Sequence, residues 1–294
     1  MKVLVTGVCG QLGHDVVLQL QTRGHTPVGT DIAPQCSSDV SYIPADITNP
    51  AAVDALIAET QPDAVVHCAA WTAVDAAEEP ENREKVYAVN ATGTENIAKA
   101  CKAHSCKLIY ISTDYVFSGE GETPWQPDDR NFAPQNIYGE TKLLGEEAVR
   151  RWTQKHFIVR IAWVFGKNGN NFVKTMLSLS EKYDTLRVVC DQIGTPTYTP
   201  DLSRLLCDML ETEKYGTYHA TNEGGFISWY EFACEIFRQA GKQVNVIPVT
   251  TEEYGLSKAK RPKNSRLCKE KLTKNGFTTL PSWQDALSRY LKER

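Results

Sequence analysis

Short, almost continuous apolar runs alternate with longer amphipathic segments along the first half of the chain. Such runs are typical of strands that are buried on both faces of a parallel sheet. The predicted strands cover residues 2–7, 26–31, 40–45, 63–70, 107–113 and 157–166. The predicted helices between them cover residues 11–24, 50–61, 81–105 and 135–155. This alternation predicts an α/β fold built on a doubly wound parallel sheet.

The regular alternation weakens after residue 166. Further strands are predicted at 186–194 and 216–221, and further helices at 199–211, 229–241 and 282–293. No repeat, low-complexity tract or long linker divides the chain. The second half is therefore expected to form a smaller α/β layer that packs closely on the first.

Composition and charge narrow the class of protein. The 294 residues are 41% hydrophobic and 23% charged, with a net charge of -4, which does not favour binding to nucleic acid or to an acidic membrane. No apolar run approaches the roughly 18 residues of a membrane span. The nine cysteines form no C-x-x-C pair, so neither a disulfide framework nor a zinc site is expected. We expect a cytoplasmic globular protein with reduced thiols.

A glycine triplet follows the first predicted strand and opens the first predicted helix. Gly7, Gly10 and Gly13, with Gln11 and Leu12 between the last two, would permit a tight turn and close approach of backbone amides to a pyrophosphate. The helix N-terminus adds unpaired N–H groups and a partial positive charge. The pattern predicts a dinucleotide site in an NAD(P)-binding Rossmann domain over residues 1–165, with returning strands from about 186–222. Residues 166–294 are then expected to form mainly a substrate-binding domain.

Acidic and small residues at later strand ends complete the predicted cofactor site. Asp31, at the end of the second strand, would bind a ribose 2′-hydroxyl and repel a 2′-phosphate, which favours NADH over NADPH. Asp46 and Ile47 suit contact with the adenine; a turn residue at the strand end is the alternative for Asp46. Residues Cys68, Ala69 and Ala70 suit the edge of the cofactor.

Tyr138 and Lys142 stand one helical turn apart, and a Ser112-Thr113 pair ends the preceding strand. In reduction of a carbonyl group, Tyr138 would supply the proton, Lys142 would lower the pKa of that tyrosine, and Thr113 would polarise the carbonyl oxygen. A second Y-x-x-x-K pattern, Tyr254 to Lys258, is preceded by a predicted helix and not by a strand, so we interpret it as incidental.

Several motifs together resemble the extended short-chain dehydrogenase/reductases, and among them the dTDP-4-dehydrorhamnose reductase family. The matching pieces run in family order along nearly the whole chain: GVCGQLG (7–13), AAWTAVDAAE (69–78), VN (89–90), STDYVFSG (112–119), YGETKLLGE (138–146), RIAWVFG (160–166), DQIGTPT (191–197) and RPKNSRL (261–267). The resemblance implies that Thr113, Tyr138 and Lys142 are catalytic and that Asn90 supports the lysine. It also implies a pocket for a nucleotide-linked sugar. The residues expected there are Thr72, Val74, Ser112, Tyr115 and Trp163.

The resemblance implies reduction of the C4 keto group of dTDP-4-dehydro-L-rhamnose or a close relative. Arg261 is a candidate for the substrate diphosphate, because a guanidinium fork suits phosphate oxygens; a surface salt bridge is the alternative. A nucleotide-sugar epimerase and a non-catalytic NADP-binding subunit of a methionine adenosyltransferase stay open. A homodimer is compatible with the resemblance, and the scattered carboxylates assign no metal, Mg²⁺ included.

Overall fold

Thirteen strands appear in the computed structural model, which describes residues 1–36 and 39–293. They are β1 (Lys2–Thr6), β2 (Thr26–Thr30), β3 (Ser41–Tyr42), β4 (Ala64–His67), β5 (Lys107–Thr113), β6 (His156–Ile161), β7 (Val164–Phe165), β8 (Thr185–Val189), β9 (Ile193–Gly194), β10 (Thr197–Tyr198), β11 (Gly216–His219), β12 (Ile227–Ser228) and β13 (Asn245–Val249). Seven form one parallel sheet in the order β3-β2-β1-β4-β5-β6-β11. This is the doubly wound order of a Rossmann fold with one added strand.

Twelve α-helices connect these strands within the described ranges. They are α1 (Gln11–Thr22), α2 (Pro50–Thr60), α3 (Val74–Ala77), α4 (Pro80–Tyr87), α5 (Thr94–Ala103), α6 (Ile137–Trp152), α7 (Phe172–Ser180), α8 (Thr199–Leu210), α9 (Trp229–Gln239), α10 (Thr251–Tyr254), α11 (Glu270–Lys274) and α12 (Trp283–Glu293). A π-helical turn (Ala88–Gly93) joins α4 to α5, and a 3₁₀ turn (Asp114–Val116) follows β5. No described helix is long and apolar enough to cross a membrane.

Both faces of the large sheet are covered by helices. Alternate residues of β1 point to opposite faces, so Val3 and Val5 join one core cluster while Leu4 joins the other. The first cluster includes Leu20 of α1 and Leu206 of α8, and the second includes residues of α2, α5 and α6. Burial of each such aliphatic side chain contributes about 1.5–3 kcal/mol.

A third core lies outside the large sheet. It is rich in aromatic side chains from β7, β10, α9 and α12, among them Phe165, Tyr198, Phe232 and Trp283. Strand β8 pairs with β13 in a separate two-stranded sheet, whereas α8 and β11 return to the large sheet. The boundaries of the two predicted domains stay a prediction.

Three predicted elements are interrupted in the structure. The helix expected at 81–105 is broken by the π-helical turn, which holds the buried side chain of Asn90. The strand expected at 157–166 stops at Ile161 because Trp163 adopts a left-handed backbone with φ 52°. The strand expected at 186–194 divides into β8 and β9. The first two interruptions lie beside the predicted site.

Candidate active site

The predicted site residues gather along the carboxyl edge of the sheet. Gly7 follows β1, Asp31 follows β2, Cys68 follows β4 and Thr113 ends β5. These four strands are parallel and adjacent in the sheet. In open α/β sheets this edge is where ligands bind, at the point where the strand order reverses.

The glycine loop is tightly folded against the end of β4. Gly7 has φ +67°, and a Cβ there would lie 2.6 Å from the backbone nitrogen of Ala69. A Cβ on Gly13 would collide with the carbonyl oxygen of Gly7. The first turn of α1 carries no side-chain cap, so its N–H groups stay open to an anion. This uncapped cradle fits the pyrophosphate of a dinucleotide.

Asp31 lies beside the same loop. One carboxylate oxygen accepts the backbone N–H of Cys9 at 3.2 Å, and the other accepts that of Ile32 at 2.8 Å. The thiol of Cys9 in turn contacts that of Cys36. Asp31 therefore stands at the mouth of the glycine loop, where a ribose bound along this edge would meet it.

Asp46 and Ile47 lie in the segment between β3 and α2. The Asp46 carboxylate accepts the backbone N–H and the hydroxyl of Thr48 at 2.9 and 2.8 Å, so it also closes a turn. The Ile47 side chain is buried beneath Gly93, where a Cβ would lie 2.8 Å from its Cδ1. The structure thus shows the turn function of Asp46.

Asn90 fastens the loop after β4 to α6. Its side-chain oxygen accepts the N–H of Trp71 at 2.8 Å, and its amide donates to the Trp71 carbonyl and to the Thr141 hydroxyl, both at 3.1 Å. The hydroxyl of Thr94 donates to the Asn90 carbonyl at 2.7 Å. The Asn90 side chain is fully buried. Its bond to the Thr141 hydroxyl holds in place the residue that precedes Lys142.

Tyr138 lies in the first turn of α6, which begins where the Asn136 side chain accepts the N–H of Gly139 at 2.8 Å. Its hydroxyl contacts that of Thr113, and its ring meets the ring of Tyr115 edge-on at 5.6 Å. Burial raises the pKa of Tyr138 above its usual value, although the Thr113 contact acts the other way. The expected net lowering of this pKa is not seen, because desolvation dominates. Tyr138 therefore keeps its proton at neutral pH, as a proton donor must.

Lys142 is buried one turn further along α6. Its Nζ stands 4.1 Å from the ring centroid of Tyr110, whose hydroxyl donates to the Lys142 carbonyl at 3.1 Å. Burial lowers the pKa of Lys142 to about 7, while Glu146 and Cys68 act to raise it. A substantial share of the lysine is thus neutral near pH 7, unusual for this residue type.

Ser112 faces away from the predicted sugar pocket. Its hydroxyl donates to Glu146 at 2.6 Å, deep between β5 and α6. The same carboxylate receives two hydrogen bonds from Arg160, both at 2.8 Å, and one from Arg150 at 2.7 Å. These cations hold the pKa of Glu146 down at about 2 despite its burial. The Ser112 hydroxyl therefore donates its proton to a buried ion-pair network and not to a substrate.

Tyr115 and Arg261 meet at the opening of the site. The guanidinium donates to the Tyr115 hydroxyl at 3.2 Å and to the Asp75 carboxylate at 2.6 Å. Asp75 also accepts the backbone N–H groups of Lys258 and Ala259. Arg261 thus forms a salt bridge with Asp75, the alternative to a diphosphate contact, at a position that adjoins the predicted pocket.

Trp163 is half-buried, two residues after the end of β6. Its ring stacks on Trp229 with centroids 3.7 Å apart and an angle of 15°. Gly194 makes room for this ring, since a Cβ there would lie 2.9 Å from Trp163 Cε2. A left-handed φ is costly for a tryptophan, and such strain is concentrated at functional positions.

Other predicted residues are placed more simply. Thr72 is exposed and Val74 half-buried in the segment that leads into α3. In the second Y-x-x-x-K pair Lys258 is exposed and paired with Glu79, and only its backbone N–H contacts Asp75. Among the described residues no group of three or more His, Cys, Asp or Glu side chains could hold a metal ion.

Comparison with known proteins decides the family. The model of the family described as RmlD substrate binding domain matches residues 1–294. The dTDP-4-dehydrorhamnose reductase of Escherichia coli (strain K12) is 38% identical, with 100% of this chain and 98% of that protein covered. The chain belongs to this family.

Relatives with other names and solved structures agree with the assignment. The Bacillus subtilis (strain 168) spore coat polysaccharide biosynthesis protein SpsK is 39% identical, over 100% of this chain and 98% of its own length. The crystal structure of a Bacillus anthracis dTDP-4-dehydrorhamnose reductase in complex with NADP is 41% identical, with a TM-score of 0.90 and 99% of both chains covered. An NAD complex of Thermus thermophilus UDP-glucose 4-epimerase, 20% identical with a TM-score of 0.80 over 99% of this chain and 98% of that one, shares the fold. The predicted α/β Rossmann fold and the reductase family are confirmed.

Sequence reasoning missed four residues that shape this reductase site. They are Asp75, Asp114, Glu146 and Trp229. Asp114 follows Thr113 directly, and Glu146 lies four residues after Lys142 on the same helix face, so helical spacing offered a signal for the latter. Asp75 and Trp229 reach Arg261 and Trp163 only through the tertiary fold.

Proposed function

We propose that this protein reduces the C4 keto group of dTDP-4-dehydro-L-rhamnose to the alcohol of dTDP-L-rhamnose. The observation that carries the proposal is the contact between Thr113 and Tyr138 at the end of β5, with Lys142 buried one turn further along α6, in a member of this reductase family. A carbonyl oxygen placed against both hydroxyls would lie within reach of a protonated phenol.

The three side chains divide the work of proton transfer. Tyr138 donates its proton to the oxygen as negative charge develops there. Lys142, in its ammonium form, stabilises the phenolate that remains. Thr113 stabilises the oxygen by a hydrogen bond, an interaction that counts most where water is excluded.

A nicotinamide cofactor fits the uncapped cradle at the start of α1. Gly7, Gly10, Gln11, Leu12 and Gly13 would hold its pyrophosphate, Asp46 and Ile47 its adenine, and Cys68, Ala69, Ala70 and Asn90 its inner edge. When bound, the cofactor supplies the hydride. Asp31 stands where it would accept a ribose 2′-hydroxyl, and its charge would repel a 2′-phosphate. We therefore propose a preference for NADH, although the Bacillus anthracis relative holds NADP.

The substrate is expected between the sheet edge and the part of the chain after residue 166. Tyr115, Trp163, the exposed Thr72 and the half-buried Val74 would contact the sugar, with Trp163 offering an aromatic ring. Arg261 is half-buried and already shares its charge with Asp75, so it would have to exchange or share that partner to bind the diphosphate.

The test is turnover of dTDP-4-dehydro-L-rhamnose with NADH and with NADPH, followed by loss of reduced cofactor and NMR of the product. We expect dTDP-L-rhamnose, faster consumption of NADH, and a loss of at least about 10²-fold in Tyr138→Phe because its proton is gone. Tyr254→Phe is the matched control and should keep normal activity. Cofactor binding without turnover of any keto-sugar would favour the regulatory-subunit alternative.

A further inference from the structure

Asp114 is a buried carboxylic acid that directly adjoins the catalytic Thr113. Only 2% of the residue is exposed. Its Oδ1 accepts the Thr113 hydroxyl at 3.0 Å, and the Ser265 hydroxyl also contacts the group. Its Oδ2 is buried without a hydrogen bond of standard geometry, and no ion pair with Lys or Arg reaches Asp114 within the described ranges. An unpaired buried carboxylate is costly.

The hydrogen bonds of Thr113 conflict with its catalytic role. A hydroxyl has one proton to donate and two lone pairs to accept with. Thr113 accepts the N–H of Tyr115 at 3.2 Å and donates its only proton to Asp114. In this arrangement it can offer Tyr138 or a carbonyl oxygen only a lone pair. It cannot then stabilise negative charge on that oxygen.

We propose that Asp114 is a positioning residue whose neutral carboxyl group turns the Thr113 hydroxyl toward the reacting carbonyl oxygen. The protonated acid donates to Thr113, so both lone pairs of Thr113 are used and its own proton faces the site. This inference rests on the proposed reduction. No proton is consumed, because Asp114 keeps its proton while Tyr138 supplies the one that reaches the product.

The surroundings of Asp114 shift its ionisation toward the neutral form, which predominates below about pH 6. The titratable groups that face it are Tyr115, its neighbour in the chain, and Tyr138 on α6, both neutral near pH 7. The third contact, from the segment after β13, is the uncharged Ser265. Burial raises the pKa of Asp114 to about 6, while the bonds from Ser265 and Thr113 act in the opposite direction.

The pH dependence of kcat/KM tests the proposal. The active form holds its proton, so activity should fall as pH rises through the pKa of Asp114, and fall again as Lys142 loses its charge. In Asp114→Asn the amide can donate to Thr113 at every pH, so only the Lys142 ionisation should remain. Asp114→Ala loses the orientation at all pH values and should cost up to about 10²-fold in kcat, the scale of one lost oxyanion donor.

Ser265→Ala supplies a second and opposite signal. Its loss removes a bond that favours the charged form of Asp114, so the first alkaline fall should move to higher pH and the active range should widen. A merely structural role would lower activity without this shift. Asp54→Asn, on the exposed face of α2, is the control.

Three results would overturn the proposal: the same two ionisations in Asp114→Asn as in the wild type, an unshifted profile in Ser265→Ala, or equal kcat in the Asn and Ala variants. Absence of turnover in the wild type would instead count against the proposed function, so the two failures are distinguishable. Circular dichroism of each variant separates misfolding from a change in chemistry.

Discussion

Glu146→Gln should destabilise the protein strongly. Glu146 and Arg160 are both fully buried and share two hydrogen bonds of 2.8 Å. The amide can replace one acceptor oxygen but not the charge. Arg160 would then keep a buried positive charge that faces a neutral amide, the Pro127 carbonyl and the His219 ring (each of the last two at 3.3 Å), and the rings of Phe117 and Phe132. Removal of one member of a buried pair leaves the partner uncompensated, which costs about 3–5 kcal/mol.

A second estimate comes from the pKa of Glu146. The fall from 4.5 to about 2 corresponds to about 3 kcal/mol, since each unit is about 1.4 kcal/mol. Because the pKa is depressed by folding, this stability is present above the unfolded value and is lost as pH falls toward about 2. For a chain of this size we expect a loss of about 10 °C in Tm near neutral pH, and a difference of less than half that size near pH 3.

Thermal unfolding followed by circular dichroism measures this effect, with the exposed neighbour Glu147→Gln as the matched control. The double variant Glu146→Leu with Arg160→Met should recover part of the loss, because a buried pair replaced by apolar side chains is often neutral. A Glu146→Gln protein that melts with the control at neutral pH would refute the reasoning. So would a difference that grows as the pH is lowered.

Three further predictions follow from the site. Burial lowers the pKa of Lys142 to about 7, so kcat/KM should fall as pH rises through that value; Lys142→Arg should remove this fall, and an unchanged profile would contradict the assignment. Gly13→Ala should cost about 1–3 kcal/mol of stability and weaken cofactor binding measured by calorimetry, because its methyl group meets the Gly7 carbonyl; an unaltered Kd would argue against the cradle. Trp229→Ala removes the partner of Trp163 and should raise KM more than it lowers kcat in steady-state assays, whereas a loss confined to kcat would exclude this positioning role.

The fold was predictable because its signals are local. Continuous apolar runs indicate strands such as β4 and β5 that are buried on both faces. Such strands are typical of parallel sheets, and β4 and β5 do pair in parallel. The breaks were not predictable in the same way. Trp163 lies where the strand ends, with its ring packed against the distant Trp229 and Gly194, and the π-helical turn carries the buried Asn90. Each depends on contacts between segments far apart in sequence.

The site was predictable where residue type and spacing decide the chemistry, as with Tyr138 and Lys142. The direction in which a side chain points was not. Ser112 belongs to the same strand end as Thr113, but successive residues of a strand face opposite sides. Both hydroxyls nevertheless reach α6: that of Ser112 donates to Glu146 in the third turn, and that of Thr113, at the end of β5, contacts Tyr138 in the first turn. The position of each partner along α6, and not alternation along β5, separates the structural hydroxyl from the catalytic one.

Burial drives Tyr138 and Lys142 toward their neutral forms, since it raises the pKa of the first and lowers that of the second. A neutral phenol suits proton donation, but a neutral amine cannot stabilise the phenolate that follows. Glu146 opposes this, because its negative charge raises the pKa of Lys142. Glu146→Gln should therefore move the alkaline fall of kcat/KM to lower pH as well as lower Tm. One buried carboxylate would then stabilise both the fold and the charge on Lys142. The lower Tm and the shifted pH profile should appear together in Glu146→Gln, and Glu147→Gln should show neither change.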